Sequence, residues 1–272
     1  MKAWYMDGLV DADAPGMALD DHGLTTGDGC FETLKVLRDT PFALTRHLRR
    51  LRRSCAGLGI VAPDDDLVRE ACAAVVDANG PGVGRLRITV TAGRAPLGSG
   101  RGDVAPSLTV LTGPPPAWEP TTAVALCPWV RNERSAVAGL KTTSYAENVV
   151  ALAWAQERGC SEALLANTRG ELCEGTGTNV FVVLDGELLT PALDSGCLAG
   201  ITRELLLERV DGRDATIPAD RLADVEEAFL TSSTRDVHPI HRLDDRDLPA
   251  PGSRTAAVQA AWRDLEASSL DP

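Results

Sequence analysis

Lysine is scarce in this chain, so few side chains could supply a primary amine for chemistry. The 27 basic residues include only Lys2, Lys35 and Lys141. Lys141 stands in the segment GLKTTSY (139–145), beside hydroxyl side chains and directly before a predicted helix. Lysines are usually solvated surface residues. Lys141 is nevertheless one of three candidates for chemistry that needs a primary amine, so both interpretations stay open.

Glu174 is the acid whose surroundings suggest a role beyond solvation. It lies in ELCEGTGTN (171–179), just before a glycine-rich turn that leads into an apolar strand. A carboxylate beside a pyridine nitrogen keeps that nitrogen protonated, and the protonated ring then stabilises a carbanion. The alternative is an acid in a turn that faces water.

Two segments rich in small and hydroxyl residues suit a phosphate group. LAGITR (198–203) opens an apolar-periodic helix, whose free amide groups and Thr202 hydroxyl would bind an anion. The alternative is that Thr202 only caps the helix. TSSTR (231–235) follows a predicted strand and carries four hydroxyl groups. These hydroxyls could donate to a phosphate or carboxylate, or could simply form a turn.

An arginine-rich run, RHLRRLRR (46–53), is predicted to lie in an amphipathic helix with most of its arginines on the solvated face. Leu48 and Leu51 point in one direction, which places most of the arginines in solvent and leaves room for one to face inward. Nucleic acid is an improbable partner, because the net charge of -12 and the pI of about 4.8 would repel its backbone.

The composition excludes several other classes of protein. With 44% hydrophobic and 24% charged residues among 272, the chain is predicted to be a soluble globular protein of one or two domains. The N-terminus resembles neither a secretory signal nor a membrane span, so we expect a cytoplasmic protein without a membrane partner. Seven scattered cysteines include no CxxC pair, which predicts reduced thiols, mostly in the core, and no metal site.

Hydrophobic periodicity predicts the elements that position these groups. The pattern indicates an α+β fold with mostly antiparallel strands. We expect an N-terminal domain over residues 1–112, a proline-rich linker over 113–120 (GPPPAWEP) and a C-terminal domain over 121–272. A helix is predicted from Tyr145 to Arg158, with Ser144 and Glu147 as its capping box. Asp185-Gly186 predicts a hairpin between two apolar strands.

In this order, from about Asp7 to Ile240, the segments resemble those of the class IV aminotransferases, the fold-type-IV pyridoxal-phosphate (PLP) enzymes. This family includes branched-chain aminotransferases, D-amino-acid aminotransferases and 4-amino-4-deoxychorismate lyases. The resemblance implies a two-domain fold like that of the D-amino-acid aminotransferases, with PLP as cofactor. It also implies a homodimer whose active site lies between the two domains and near the subunit interface.

The resemblance also assigns roles to individual residues. Lys141 matches the lysine that forms the Schiff base with PLP, and Glu174 matches the acid at the pyridine nitrogen. Tyr145 lies four residues after the lysine, whereas the tyrosine that bonds the cofactor's phenolic oxygen in branched-chain enzymes lies five after it. Thr234 would shape the substrate side through its backbone amide. The phosphate-binding positions match Arg50, Ile201, Thr202 and Ser233.

Within the family, GDGCFET (27–33) is similar to the corresponding stretch of the aminodeoxychorismate lyases. Branched-chain enzymes carry glycine in place of Thr33, and D-amino-acid enzymes carry tyrosine in place of Phe31. The latter also use an Arg-x-His carboxylate trap, and here Arg94 lies in that region without a histidine. The resemblance therefore implies a lyase of folate biosynthesis, forming 4-aminobenzoate and pyruvate.

In that enzyme Phe31 and Arg94 would contact the substrate, and Thr33 could relay a proton. Arg101 and Arg38 are further, unranked candidates for binding the substrate carboxylates. Two alternatives stay open. One is a class IV aminotransferase acting on branched-chain or D-amino acids. The other, more distant, is a non-catalytic PLP-binding protein.

Overall fold

The computed structural model describes residues 1–14 and 16–272, and the chain forms two compact units. The chain passes from the first unit to the second between Pro116 and Ala117. The segment Leu140–Tyr145, which carries Lys141, returns to the first unit, although the sequence assigned everything after residue 120 to the second domain. The first unit comprises Met1–Pro116, Leu140–Tyr145 and Leu270–Pro272, and the second comprises Ala117–Gly139 and Ala146–Ser269.

The first unit is built on an antiparallel sheet with the strand order β2-β1-β6-β5-β3-β4. The strands are β1 (Lys2–Tyr5), β2 (Gly8–Asp11), β3 (Gly29–Leu37), β4 (Thr40–Pro41), β5 (Arg85–Thr91) and β6 (Ser107–Gly113). The helices are α1 (His22–Thr25), α2 (Leu44–Leu58) and α3 (Asp65–Asn79). Helix α2 packs on β3, and α3 packs on β1 and β6.

Helix α2 lies on the sheet because its apolar residues recur every three or four positions. Leu44, Leu48, Leu51 and Cys55 are buried, whereas Arg49, Arg52 and Arg53 are exposed. The predicted helix was therefore correct in its amphipathic character. The helix begins at Leu44, four residues before Leu48, which is the first apolar residue named in the prediction.

The segment that carries Lys141 is held against β3 by backbone hydrogen bonds. The amide of Phe31 donates to the carbonyl of Lys141 (3.0 Å), and the amide of Thr143 donates to the carbonyl of Gly29 (2.8 Å). A Cβ atom on Gly29 would lie 2.7 Å from the Val90 carbonyl, so this close approach requires glycine. Pairing with β3 explains why the segment belongs to the first unit.

The second unit contains a mixed sheet with the order β12-β11-β10-β13-β14-β7-β8-β9, and β15 pairs with β14. The strands are β7 (Thr122–Arg131), β8 (Glu162–Asn167), β9 (Leu172–Gly175), β10 (Asn179–Leu184), β11 (Glu187–Pro191), β12 (Arg213–Ala215), β13 (Glu227–Ser232), β14 (Asp236–Leu243) and β15 (Arg246–Asp247). The helices are α4 (Ala146–Gln156), α5 (Ile201–Leu207) and α6 (Ser253–Ser268), with 3-10 turns at Leu193–Ser195 and Ala219–Asp224. Pairs β11–β12, β14–β7 and β7–β8 are parallel.

Several local predictions can be compared directly with the structure. The α+β class is confirmed, and β10 and β11 are joined through Asp185 and Gly186, both with positive φ, as the hairpin signal requires. The predicted capping box does not form: α4 begins at Ala146, two residues after Ser144, and the Ser144 hydroxyl donates to the carbonyl of Gly27 (3.0 Å). All seven cysteines are free and buried, as predicted. Within residues 1–14 and 16–272, no helix combines the length and apolarity needed to cross a membrane.

Candidate active site

Lys141 projects an amine that has no acidic partner within the described chain. Its Nζ lies 3.4 Å from the hydroxyl of Tyr145 and 4.4 Å from the centre of the Phe31 ring. The Lys141 backbone amide donates to the Ser54 hydroxyl (3.2 Å), which anchors the residue to α2. A half-buried amine normally has a counter-ion or full solvation. This one is instead surrounded by aromatic rings, which suits a group that reacts.

Arg87 is a second cation on the ring of Phe31, with its guanidinium carbon 3.7 Å from the ring centre. Phe31 also packs edge-on against Tyr145, with the ring centres 5.1 Å apart. Arg87 lies opposite Thr33 in the β3–β5 pairing, so the two side chains share one face of the sheet. Arg87 is exposed on one side, yet the surrounding protein desolvates it enough to lower its pKa. Lys141 and Arg87 thus contact the same aromatic ring.

The sequence did not single out Arg87, although a signal was present. The strand RLRITVT alternates polar and apolar residues, and its polar positions include Arg85 and Arg87. Because β3 and β5 pair antiparallel, those positions share a face with Phe31 and Thr33. The pairing of two strands far apart in sequence was needed to see this.

Arg50 faces inward, unlike its exposed neighbours, and pairs with Glu32 on the opposite side of β3. Its Nε donates to Glu32 Oε1 (2.8 Å) and its Nη2 donates to Oε2 (2.6 Å). His47 Nδ1 also lies 2.6 Å from Oε2. Burial raises the pKa of Glu32, but the Arg50 charge and the bonds from Arg50 and His47 outweigh it and bring the pKa to about 2.

His47 is neutral in this cluster, because desolvation lowers its pKa despite the bond to Glu32. The ionised Glu32 carboxylate can only accept, so the His47 proton is on Nδ1. The cluster therefore joins one anion, one cation and one neutral donor beneath the sheet. None of the sequence motifs pointed to Glu32.

Two of the other arginines proposed for the substrate, Arg94 and Arg101, lie in ion pairs. Arg94 bonds Asp20 at 2.9 Å, and its side chain is 67% exposed. Arg101 makes a two-point contact with Asp28 at 2.7 and 2.6 Å. Arg38 is exposed at a positive φ. Arg87, rather than Arg94, is the arginine that contacts Phe31.

Glu174 lies on β9 in the second unit, where it is paired with Leu165 of β8. Its Oε2 accepts the backbone amide of Leu198 (2.9 Å), and its Oε1 is 3.3 Å from Nε of Arg131. The side chain is only 11% exposed. Glu174 is therefore a fixed, paired carboxylate, and the alternative of a solvated turn acid is wrong.

The loop that ends at α5 brings backbone amides to the start of that helix. Gly200 is its N-cap residue, and no side chain in the described part of the protein caps it. A Cβ on Gly200 would lie 1.9 Å from Oδ1 of Asn179, whose Nδ2 donates to the Leu198 carbonyl (2.8 Å). Ile201 and Thr202 are buried. Thr202 is not the cap, which removes the alternative interpretation of this motif.

The segment 231–235 comprises the end of β13 and the turn that leads into β14. The hydroxyl of Ser232 accepts the amides of Thr234 (3.4 Å) and Arg235 (3.1 Å), and the Thr234 carbonyl accepts Nε1 of Trp118 (2.9 Å). Ser233 is half-buried. The Thr231 hydroxyl is buried without a hydrogen-bond partner among the described residues. A buried donor of this kind is suited to a ligand.

Comparison with known proteins gives a consistent picture. The family model for amino-transferase class IV matches residues 29–243. The chain is 30% identical to a bifunctional aminodeoxychorismate lyase / D-amino acid transaminase of Mycobacterium tuberculosis, over 86% of this chain and 89% of that one.

Solved structures of similar fold point to the same family. The fold resembles a fold IV-transaminase from Curtobacterium pusillum, with TM-score 0.83 and 33% identity over 95% of this chain and 92% of that one. It also resembles a 4-amino-4-deoxychorismate lyase from Pseudomonas aeruginosa, with TM-score 0.85 and 30% identity over 99% and 100% of the two chains.

Proposed function

Because the chain belongs to the class IV aminotransferase family, we propose that it is a 4-amino-4-deoxychorismate lyase, which forms 4-aminobenzoate and pyruvate. The protein is a PLP-dependent enzyme, since this family uses PLP. Its substrate class within the family is the part that we propose. Two features support the lyase: the motif that contains Phe31 and Thr33, and Arg87, whose guanidinium lies on the Phe31 ring.

The residues of each unit fit PLP. Lys141 offers an amine without an acidic partner in the described chain, as a Schiff-base lysine requires. Glu174 offers a fixed carboxylate, which the backbone amide of Leu198 and the side chain of Arg131 hold in place. The start of α5 presents amides that no side chain caps within residues 1–14 and 16–272. The amine would react with the aldehyde, the carboxylate would accept from the protonated pyridine nitrogen, and the amides would donate to the phosphate.

Arg87 is the observation that supports the lyase most directly. Its guanidinium stacks on Phe31, the ring that the Lys141 amine also contacts, and it has no acidic partner in the described chain. 4-Amino-4-deoxychorismate carries two carboxylates on and beside its ring. A cation without an acid beside the reacting amine would bind one of them. We therefore add Arg87 to the substrate-binding residues and place Arg94 and Arg101 second.

Lys141 performs the proton transfers in the proposed reaction. PLP, when bound, supplies the ring that accepts the electron pair released at the substrate carbon. Lys141 takes the proton from C4 of the substrate, and the bond to the enolpyruvyl oxygen breaks as the ring aromatises. Lys141 returns that proton, directly or by relay through the Thr33 hydroxyl, to the departing enolpyruvyl group, which leaves as pyruvate. Glu174 holds the proton of the pyridine nitrogen.

The remaining residues hold the cofactor and substrate. Arg50 carries five N–H donors, and two of its nitrogens already bond Glu32, so a phosphate would be met by a cation that is fixed in advance. Tyr145 lies close enough to the Lys141 amine to hold a phenolic oxygen there. The backbone amide of Thr234 would help to shape the substrate side of the site. We assign the phosphate to Arg50, Ile201, Thr202 and Ser233.

We also propose that the enzyme acts as a homodimer, as the resemblance implies. Sedimentation of the PLP-loaded protein would measure its mass directly. A single species of about twice 28.8 kDa is expected. A species that stays at the monomer mass at high concentration would contradict the proposal.

The lyase is tested by incubating the PLP-loaded protein with 4-amino-4-deoxychorismate and no keto acid. We expect 4-aminobenzoate and pyruvate in equal amounts, and neither from K141A. Release of neither product by protein that carries its cofactor would reject the lyase. This assay separates the lyase from any reaction that needs an amino acceptor.

An aminotransferase is the second candidate, favoured by the 33% identity to the Curtobacterium pusillum transaminase. It would use the same Lys141 and Glu174 but require a keto acid. Pairing 2-oxoglutarate with D-alanine or with a branched-chain amino acid tests it. Transfer to 2-oxoglutarate without lyase activity would make this the function.

A further inference from the structure

Arg131 is a cation of the second unit that contacts Glu174. It ends β7, and its Nε lies 3.3 Å from Oε1 of Glu174. The Arg131 side chain is 17% exposed and that of Glu174 is 11% exposed, so water screens the pair weakly. Arg131 Nε is buried and donates no hydrogen bond within the described chain. The contact is therefore chiefly one of charge.

Arg131 is itself held by α4. Its Nη2 donates to Oδ1 of the buried Asn148 (3.3 Å), and Nδ2 of Asn148 donates to the carbonyl of Thr176. Its Nη1 lies 3.4 Å from Glu147, whose side chain is 81% exposed. The Asn148 amide thus joins Arg131 to the turn that follows Glu174. This bridge fixes the guanidinium relative to the acid.

We propose that Arg131 is a positioning residue that keeps Glu174 ionised and oriented beside the pyridine nitrogen of PLP. This inference rests on the proposed function, in which Glu174 serves that nitrogen. Arg131 does not touch the substrate. It acts through the acid that does touch the cofactor.

The physical reason is a difference in distance. A proton shared by Glu174 and the ring nitrogen can lie on either, and only the protonated ring is an effective electron acceptor. A cation beside a carboxylate favours its ionised form, and the effect weakens with separation. Arg131 adjoins Glu174, and in the proposed arrangement the ring nitrogen would bond the carboxylate on the side away from Arg131. Its charge therefore lowers the proton affinity of the acid more than that of the ring, and the proton stays on the ring.

Charge and shape can be separated by substitution. Arg131→Lys keeps the charge but loses the fork that bonds Asn148, whereas Arg131→Met and Arg131→Gln remove the charge. Glu147→Gln is the matched control, because it removes the other acid near Arg131 without touching Glu174. Two neutral variants guard against the failure of one to fold. Unfolding of the cofactor-free proteins checks that each variant is folded.

The first readout is the nitrogen-15 chemical shift of the ring nitrogen in protein loaded with labelled PLP. We expect the protonated shift in the wild type, in R131K and in E147Q, and movement toward the unprotonated shift in R131M and R131Q. Turnover should fall about tenfold in the neutral variants, with a smaller change in KM, since a loss of about 1.4 kcal/mol in transition-state stabilisation lowers the rate tenfold.

An unchanged shift in folded R131M and R131Q would overturn the inference. So would failure of both neutral variants to fold while R131K folds, since Arg131 would then serve the fold rather than the cofactor. E174A distinguishes this from failure of the proposed function. If E174A leaves the ring shift unchanged, the assignment of Glu174 is wrong. If E174A moves the shift and the Arg131 variants do not, only the role of Arg131 is wrong.

Discussion

Arg50 and Glu32 form a buried two-point ion pair, with nitrogen–oxygen distances of 2.8 and 2.6 Å. The pair joins α2 to β3, the strand against which the Lys141 segment is held. Arg50 is therefore fixed before any phosphate arrives. A guanidinium that is already ordered loses little side-chain entropy when it binds a ligand.

The Glu32→Gln variant should lose much of the stability of the first unit. It removes the carboxylate charge that the buried Arg50 bonds at two points, and breaking such a buried ion pair costs about 3–5 kcal/mol in the free energy of unfolding. Denaturant unfolding measures the loss. The matched control is Asp20→Asn, which breaks the exposed pair with Arg94 and should leave the stability nearly unchanged, because water and salt screen exposed pairs. Equal effects of the two variants would contradict this account of the cluster.

Low pH should destabilise the protein by protonating the Glu32 carboxylate. The pKa of Glu32 is about 2 in the folded protein and ordinarily 4.5, so the unfolded chain binds the proton first. The stabilisation is complete above about pH 4.5 and is lost as the pH falls toward 2. The denaturant midpoint of the wild type should fall across this window, and that of E32Q should fall less. Parallel curves for the two proteins would show that other carboxylates dominate.

His22 predicts the opposite dependence at higher pH. Its Nδ1 faces the Asp28 carboxylate (2.9 Å) and its Nε2 faces the Gly98 carbonyl (2.8 Å), so both nitrogens need a proton. The bond to Asp28, followed by that to Gly98, raises the pKa of His22 above 6.5. Its stabilisation is complete below pH 6.5 and is lost as the pH rises through the folded pKa.

The His22→Gln variant tests this dependence. Between pH 6 and 9 the unfolding midpoint of H22Q should vary less than that of the wild type. Nuclear magnetic resonance of the imidazole would report its protonation independently. A neutral His22 at pH 6 would contradict the prediction.

Lys141 should be the one lysine that binds PLP covalently. Borohydride reduction of the loaded protein, followed by peptide mass analysis, should find the pyridoxyl group on Lys141 and on neither Lys2 nor Lys35. K141A should lose the absorbance of the bound cofactor and all activity. The control K2A removes an exposed lysine paired with Asp11 and should keep both. A pyridoxyl group found on Lys35 would show that Lys35, and not Lys141, binds the cofactor.

Arg87→Gln should weaken substrate binding without releasing PLP. A charged hydrogen bond contributes about 1.5–3 kcal/mol, so kcat/KM should fall by about one to two orders of magnitude, mostly through KM. Arg85→Gln is the matched control, because Arg85 lies on the same face of β5 two residues away and is exposed. The cofactor absorbance should be unchanged in both variants. An equal loss in the two variants would indicate a general effect of charge.

The sequence by itself determined most local structure. Apolar spacing predicted α2 and Asp185-Gly186 predicted the hairpin, because each depends on neighbours along the chain. The order of the motifs also determined the family and its cofactor, since several separate segments had to agree. The same local logic failed at Ser144, where a capping pattern was present but a carbonyl distant in sequence took the hydroxyl.

Only the tertiary structure decided which charged groups meet. Arg50 turned inward to Glu32, Arg94 paired with Asp20, and Arg87 reached Phe31 across two paired strands. Glu174 acquired Arg131 as its neighbour in the same way. Periodicity assigns a side chain to a face of its element, but the strength of an ion pair depends on distance and burial. Both are set by strand pairing and packing between segments that are far apart in sequence.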